Sequence, residues 1–330
     1  MRHPVIARTA LLAMAGLALL LWLAPLWRGF DAVRQLWPLW CVAALLTVPL
    51  AAVSRDRRLR WAVLPLAAAI VAPGLGDTLR GLGEALAEPD HPAGFDLHVA
   101  TQNMWVRNTA PDRLVTGLSA LDPDILALQE ASGASREAAA ALAGRYPFTA
   151  GCRSTRLVSR YDILESGCVR SPVPVDRAAS IPCDYEVPPA TWARIRLPDG
   201  REIVAVSVHM TWPFPGATHD CQRGGLAAAL AQMPHDRMIV MGDFNAAAPS
   251  RALARMGEAL DLERRSVGIA TFPSEGRFRE AGWPVPPVAP MVVGIDHVFA
   301  GPAWDTVAIA AGPDTGSDHR PLVATLRLRD

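Results

Sequence analysis

Eighteen consecutive residues at positions 10–27, ALLAMAGLALLLWLAPLW, carry no charge. A run of this length and polarity suits a membrane-crossing helix, because the hydrocarbon core of a bilayer takes about 20 apolar residues. The pattern recurs at 36–53 and, over a shorter stretch, at 61–75. Tryptophans stand near the ends of these runs, where indole rings favour the membrane–water interface. Arg2 and Arg8 precede the first run as they would in a signal peptide, but no clear small-x-small cleavage site follows it and two more apolar runs do. The expectation is a retained three-helix anchor within residues 1–80, a linker at 81–94 and a polar domain over 95–330. The third run is alternatively a buried helix. Arg55, Arg57, Arg58 and Arg60 crowd the second loop, against Arg28 and Arg34 in the first. The more basic loop is expected in the cytoplasm. That predicts a multi-pass protein of the inner cell membrane with its polar domain on the periplasmic or extracellular side.

Composition separates the two parts further. The chain is 51% hydrophobic, with the excess in the first 80 residues, and it contains no lysine. Beyond residue 89, 23 Arg face 18 Asp and 9 Glu, a net charge of −4, whereas the first 89 residues carry +4. A domain at −4 lacks the overall basic footprint of proteins that grip nucleic acid by its phosphates. Cys41 lies in the second apolar run; Cys152, Cys168, Cys183 and Cys221 lie in the polar domain. An even number in an exported domain predicts two disulfides. Three pairings are open, with Cys152–Cys168 and Cys183–Cys221 preferred and unpaired or partly paired thiols as the alternative. No CxxC occurs, so the spacings resemble no zinc site.

From residue 95 onward, strand-like and helix-like segments alternate. Strands are predicted at 97–105, 125–129, 157–158, 163–164, 191–197, 202–209, 238–241, 295–299, 307–310 and 322–328, and helices at 111–121, 135–143, 223–232 and 250–260. Strand pairs mixed with helices indicate an α+β or mixed α/β sandwich. Polar residues recur where these strands end. Asn103 follows the first strand, Glu130 closes ILALQE, and His209 closes VAVSVH. Asp243 and Asn245 follow MIVMG, Asp296 sits in GIDHVF, and Asp318 and His319 sit in GSDHRP. Strand ends converge at a sheet edge, so these groups are expected to share a pocket. Taken singly, each motif reads as an ordinary turn or solvated loop residue. Together and in order they are improbable by chance.

The series TQNMW, LALQE, SVHMTWP, GDFNA, IDHVF and GSDHRPL resembles the endonuclease/exonuclease/phosphatase superfamily over residues 97–328. The resemblance implies a four-layer α/β/β/α sandwich of two mixed sheets. It implies a metal site at Glu130, with Asn103 and Asp318, for Mg²⁺ or Mn²⁺, hard ions that prefer oxygen. Asp243 would orient or deprotonate the attacking water, and Asn245 would donate to a phosphate oxygen. His319 would bind phosphate or act as acid–base, held in its tautomer by Asp296. His209 would contact the phosphate or protonate the leaving oxygen. Asn103 and Arg223 are the candidate substrate contacts, with Arg107 and Asn108 at the rim. The Pro-rich stretch 276–293 is expected to be a surface loop near the site, with Trp283 able to touch a membrane; His219 has no assigned role.

The implied reaction is hydrolysis of a phosphodiester by metal-assisted attack of water. The substrate is left open between nucleic acid, phospholipid and small phosphoester, with charge and anchor favouring the latter two. The alternative is a catalytically silent binding module on the same fold, against which the complete motif set speaks. The expected partners are the phosphate ester and the lipid bilayer, with no protein partner. A transport role for the helices is disfavoured because no charge lies at their centres.

Overall fold

The computed structural model describes residues 3–52, 57–86, 93–170, 187–214, 217–286 and 291–330. Four helices form the N-terminal part: α1 (His3–Leu23), α2 (Arg28–Gln35), α3 (Trp37–Ala52) and α4 (Arg57–Leu86). Packing among them uses Leu21, Ala44, Val63, Ala67 and Ile70, several of them small enough to let backbones approach. Leu12, Leu19, Trp22, Leu45, Leu46, Trp61 and Leu64 stay exposed on the outside of this bundle. α1 with the 3-10 turn that follows it (Ala24–Leu26), and α4, contain apolar windows long enough to cross a membrane, Arg8–Leu26 and Arg60–Glu84. α2 and α3 meet at a 68° bend and make a third candidate only if the pair counts as one span. The reason is length: the 16 residues of α3 rise about 24 Å, short of a hydrocarbon core of about 30 Å. The expected boundary at residue 80 falls inside α4, which continues to Leu86. The C-terminal part of α4 lies along the polar domain. Gly81 faces Val267, and Arg264 pairs with Asp77 at 2.6 Å.

The polar domain is built from two six-stranded sheets. The first contains β1 (Gly94–Asn103), β2 (Ile125–Gln129), β3 (Phe148–Cys152), β4 (Thr155–Ser159), β11 (Trp304–Ala311) and β12 (Leu322–Arg329), in the order β11-β12-β1-β2-β4-β3. The second contains β5 (Ile163–Cys168), β6 (Ala190–Arg196), β7 (Glu202–His209), β8 (Met238–Asp243), β9 (Glu263–Arg264) and β10 (Asp296–Ala300), in the order β5-β6-β7-β8-β10-β9. Among the described strands, β1–β2 and β7–β8 pair in parallel and the other pairs are antiparallel. The apolar inner faces meet through Val99, Ile125, Leu157, Ile195, Ile239, Met241 and Leu326, all buried. Outside the first sheet lie α5 (Pro111–Leu121) and α6 (Arg136–Ala143), packed on Leu126, Leu128 and Val158. Outside the second lie α7 (Ala217–Leu230) and α8 (Arg251–Leu260), packed on Val206, Met238 and Val240. This is the four-layer α+β sandwich expected. β2 is buried on both faces, hence its unbroken ILAL, whereas β12 alternates buried and half-buried residues as a strand covered on one side does.

Cys152 closes β3 and Cys168 closes β5, and their disulfide ties the two sheets together. Cys221 is also disulfide-bonded and Cys41 is free; the expected partner Cys183 lies outside the described residues. The strands β3 and β9 and the short helix α9 (Glu275–Glu280) were not expected. β3 (FTAGC) has strand formers only at Phe148 and Thr149, followed by Ala-Gly, and is specified by its pairing with β4. α7 starts six residues before its expected position because His219 and Gln222 are buried by tertiary contacts that composition does not reveal.

Candidate active site

The topology brings the strand-end polar residues to one edge. β1 and β2 run parallel with Asn103 opposite Gln129, so Asn103 and Glu130 leave the first sheet side by side. β7 and β8 run parallel with His209 opposite Asp243, and β10 enters antiparallel with Asp296 opposite Asp243. The segment ahead of β12 carries Asp318 and His319 back across this edge.

Asn103 bridges the sheets: its Nδ2 donates to Glu130 Oε1 at 3.1 Å and to Asp243 Oδ2 at 2.9 Å. Its Oδ1 accepts from the Trp105 amide at 2.9 Å. Glu130 Oε2 accepts from the Val106 amide at 2.6 Å. His209 Nε2 lies 3.7 Å from Glu130 Oε1 and 3.6 Å from Asp243 Oδ2. His319 Nδ1 donates to Asp296 Oδ2 at 2.9 Å, the oxygen that also accepts from Thr271 Oγ1 at 2.6 Å, and its Nε2 points toward Asp243 Oδ2 at 3.9 Å. Asn245 Nδ2 donates to Met210 O at 2.8 Å and Asp243 Oδ2 at 3.2 Å. Arg223 does not join this cluster: among the described residues its guanidinium meets Asp220, one turn away on α7, at 3.4 Å. Asn108, expected at the rim, is buried, and its side chain bonds Met104 O and the Ala110 amide. Arg107 pairs with Glu280 at 3.2 Å. The stretch from 276 is helical as far as Glu280 before Trp283 emerges exposed.

The backbone is strained here. Trp105, Glu130 and Asn245 have φ of 59°, 52° and 51°, a left-handed conformation that disfavours most side chains by roughly 1–2 kcal/mol. Such residues persist where the surroundings over-determine them, commonly at functional sites. Gly242 has φ 151°, and a Cβ there would lie 1.9 Å from Val208 O. That contact is the β7–β8 register that sets His209 beside Asp243. Gly242→Ala is therefore expected to destabilise the domain by about 3 kcal/mol or more, measured as a drop in the denaturant midpoint.

Charge at the site is unbalanced. Burial raises the Asp243 carboxyl; Asp296 adds to this, while His319, His209 and the Asn103 amide oppose it. Burial and the charges of Glu130 and Asp243 push Asp318 up to about 6, against His319. His319 is pushed up to about 10: burial lowers it, but Asp296, Asp243, the hydrogen bond to Asp296 and Asp318 outweigh burial. Four carboxylates thus face one imidazolium and His209. Buried like charges of this kind call for a cation. Asp243, Asp296 and His319 have ligand atoms within 4.8 Å of one another. In that trio, however, the Asp296–His319 hydrogen bond already occupies Nδ1, as in a carboxylate–imidazole pair that fixes a tautomer. Glu130 and Asp318, with the Asn103 amide beside them, offer hard oxygen chemistry that fits Mg²⁺ or Mn²⁺ better. Asn103 as it stands turns nitrogen, not oxygen, toward Glu130.

The sequence profile of the Endonuclease/Exonuclease/phosphatase family matches residues 100–319, two thirds of the chain and every site residue named above. The chain belongs to the endonuclease/exonuclease/phosphatase family. As its name states, this is a family of phosphate-ester hydrolases. No curated protein matches the chain. Among solved structures, the endonuclease/exonuclease/phosphatase from Beutenbergia cavernae DSM 12333 is 21% identical, with a TM-score of 0.52 and coverage of 71% of this chain and 72% of that one. That from Bacteroides vulgatus is 18% identical, with a TM-score of 0.53 and coverage of 71% and 100%. Sphingomyelinase C from Streptomyces griseocarneus matches more loosely, at 16% identity, a TM-score of 0.49 and coverage of 70% and 99%. At these identities the likeness is one of fold.

The residues that brace the family motifs were not legible as such. His219 Nε2 donates to Phe244 O at 3.1 Å, and His297 Nε2 donates to Ala246 O at 2.9 Å while its Nδ1 accepts from Ser266 Oγ at 2.8 Å. Burial holds both imidazoles neutral, His219 lowered and His297 down to about 3. Ser317 Oγ donates to Asn103 O at 2.7 Å, and Gln102 Nε2 donates to His319 O at 3.1 Å. Strand periodicity does carry a signal for His297: it follows Asp296 in a strand, so it faces away from the site.

Proposed function

We propose that this family member is a membrane-tethered, Mg²⁺- or Mn²⁺-dependent phosphodiesterase that takes its substrate from a lipid surface on the non-cytoplasmic side. The observation that carries the reading is the constellation Asn103–Glu130–Asp243–Asp296–His319, hydrogen-bonded across both sheets. A divalent cation held by Glu130 and Asp318 would offset negative charge on the phosphoryl oxygens. Asp243, buried and aimed between His209 and His319, accepts a proton from a water positioned for attack. The water oxygen bonds to phosphorus as the ester P–O bond breaks, and His209, the more exposed imidazole, returns a proton to the leaving oxygen. His319, kept cationic by Asp296, holds a nonbridging oxygen; Asn245, whose two Nδ2 hydrogens go to Met210 O and Asp243 Oδ2, would donate to another by giving up the longer of these bonds.

Three features support the lipid surface. The domain is acidic overall. Trp212 and Phe214, each 59% exposed, follow the His209 strand, and Trp212 packs on Phe272, whose ring lies 5.0 Å from His319. The anchor contacts the same domain through α2 and the C-terminal part of α4, while the opposite ends, Ala52 and Arg57, flank the Arg-rich loop. That arrangement agrees with a cytoplasmic basic loop and an exported catalytic domain.

The test uses the full chain in nanodiscs with bis-p-nitrophenyl phosphate, and Mg²⁺ or Mn²⁺ against EDTA. Vesicles of phosphatidylethanolamine and phosphatidylglycerol are then compared with plasmid DNA. Metal-dependent release of phosphorylated headgroup or diacylglycerol without DNA cleavage is expected. DNA cleavage that collapses with salt, as counterion release requires, would replace the lipid by nucleic acid. Absence of turnover on all three would end the enzymatic reading.

A further inference from the structure

Helix α2 is the polar connection between two apolar helices, and it does more than join them. Three of its side chains reach the segment directly after Asn245. Gln35 Oε1 accepts from the Ala247 amide at 2.6 Å. Arg34 Nη1 donates to Pro249 O at 3.2 Å while its Nε donates to Leu21 O at 2.8 Å. Asp31 is buried and accepts from the Arg251 and Ala252 amides at 2.7 and 3.1 Å, at the start of α8. Within its own domain, Ser250 Oγ caps only the Leu253 amide of that turn. The opposite flank of the segment is held by His219 on Phe244 O and His297 on Ala246 O.

We infer that α2 is a positioning element of the active site: the anchor sets the geometry of Asp243 and Asn245 as well as tethering the domain. The inference rests on the catalytic reading of those two residues. Asn245 sits in a left-handed conformation, φ 51°, which asparagine tolerates and the bonds around it help to hold. Its own amide and side chain hold Asp243. Three backbone amides two to seven residues downstream find their acceptors on α2. Withdrawing those acceptors leaves N–H groups that must seek other partners, and the loop can relax to satisfy them. A displacement of about 1 Å at reacting groups can lower turnover by about 10²-fold. None of the three α2 side chains touches the cluster itself, so substrate affinity should be spared.

The test compares Asp31→Ala, Gln35→Met and Gln35→Glu in the full chain in nanodiscs. Gln35→Met keeps the volume and loses the acceptor. Gln35→Glu keeps the acceptor and removes an amide nitrogen that is buried without a partner. Two readouts are taken: kcat and KM on bis-p-nitrophenyl phosphate, and amide hydrogen exchange over 244–252. For Asp31→Ala, kcat is expected to fall about tenfold or more with KM within about twofold, and Arg251 and Ala252 to exchange about tenfold faster while β8 keeps its protection. Gln35→Met should shift the same way at Ala247, and Gln35→Glu should restore both readouts. Wild-type kcat beside faster exchange, or unchanged exchange, would overturn the inference. If Asp31→Ala yields no folded protein, the Gln35 pair decides alone. If the wild-type chain hydrolyses none of the substrates, the proposed function fails, while exchange still decides whether α2 braces the loop.

Discussion

His319→Ala and Asp243→Asn are each expected to lower kcat on a phosphodiester by about 10²–10³-fold or more, with the chain still folded. His319 is held cationic inside the cluster, through Asp296 at 2.9 Å. Its removal takes away a charge-assisted donor in a buried setting, where such donors are most effective because little solvent competes. It also leaves Asp296, whose Oδ1 is already buried without a partner, with Thr271 as its remaining donor. Asp243→Asn acts differently. The carboxylate accepts from the Asn245 amide at Oδ1 and from the Asn103 and Asn245 side chains at Oδ2. An amide in its place has one acceptor oxygen for three donors and no capacity to take a proton from water. Loss of a buried charge offsets part of the lost hydrogen bonding, so thermal stability should change less than turnover. Steady-state kinetics and a melting curve on the same preparation check both; turnover within about threefold of wild type in a folded variant would remove that residue from the chemistry.

Glu130→Gln separates metal binding from catalysis. The substitution keeps an acceptor for the Val106 amide and the shape of the side chain, but removes the charge offered to a cation. The metal concentration for half-maximal activity is expected to rise by about 100-fold or more, above the 10–100-fold typical of groups that only support a ligand. High Mn²⁺ should recover much of the lost rate. Calorimetric titration of metal into the chain gives an independent reading. Unchanged metal affinity would move the ion to the alternative buried group, Asp243, Asp296 and His319.

How much of this was readable beforehand differs between the two halves of the problem. ILAL is apolar without interruption because β2 is covered on both faces, and EIVAVSVH ends in His209 where β7 ends. Those features are local, and burial and periodicity write them directly into the chain. The list of site residues followed from strand ends and from resemblance; the structure draws Asn103, Glu130, His209, Asp243, Asn245, Asp296, Asp318 and His319 to one edge. Arg223 shows the limit, since a position at the start of a helix does not say which way a side chain turns, and Asp220 claims it. β3 is not legible from FTAGC alone, where only Phe148 and Thr149 favour a strand and the pairing with β4 supplies the rest, and the first turns of α7 are not, because their buried face is polar.

By itself the sequence determined an apolar helical segment, an α+β sandwich behind it, and a phosphoester-hydrolase residue set distributed over strand ends. It could do so because hydrophobic periodicity and motif order are properties of the linear chain. Only the tertiary structure decided that Asn103 joins the two sheets by donating to both carboxylates, that His219 and His297 brace the loop after Asp243 from within, and that α2 reaches across more than 200 residues of sequence to bond that loop from outside. Hydrogen bonds of that kind depend on distances between segments remote in sequence, and local patterning contains no record of them.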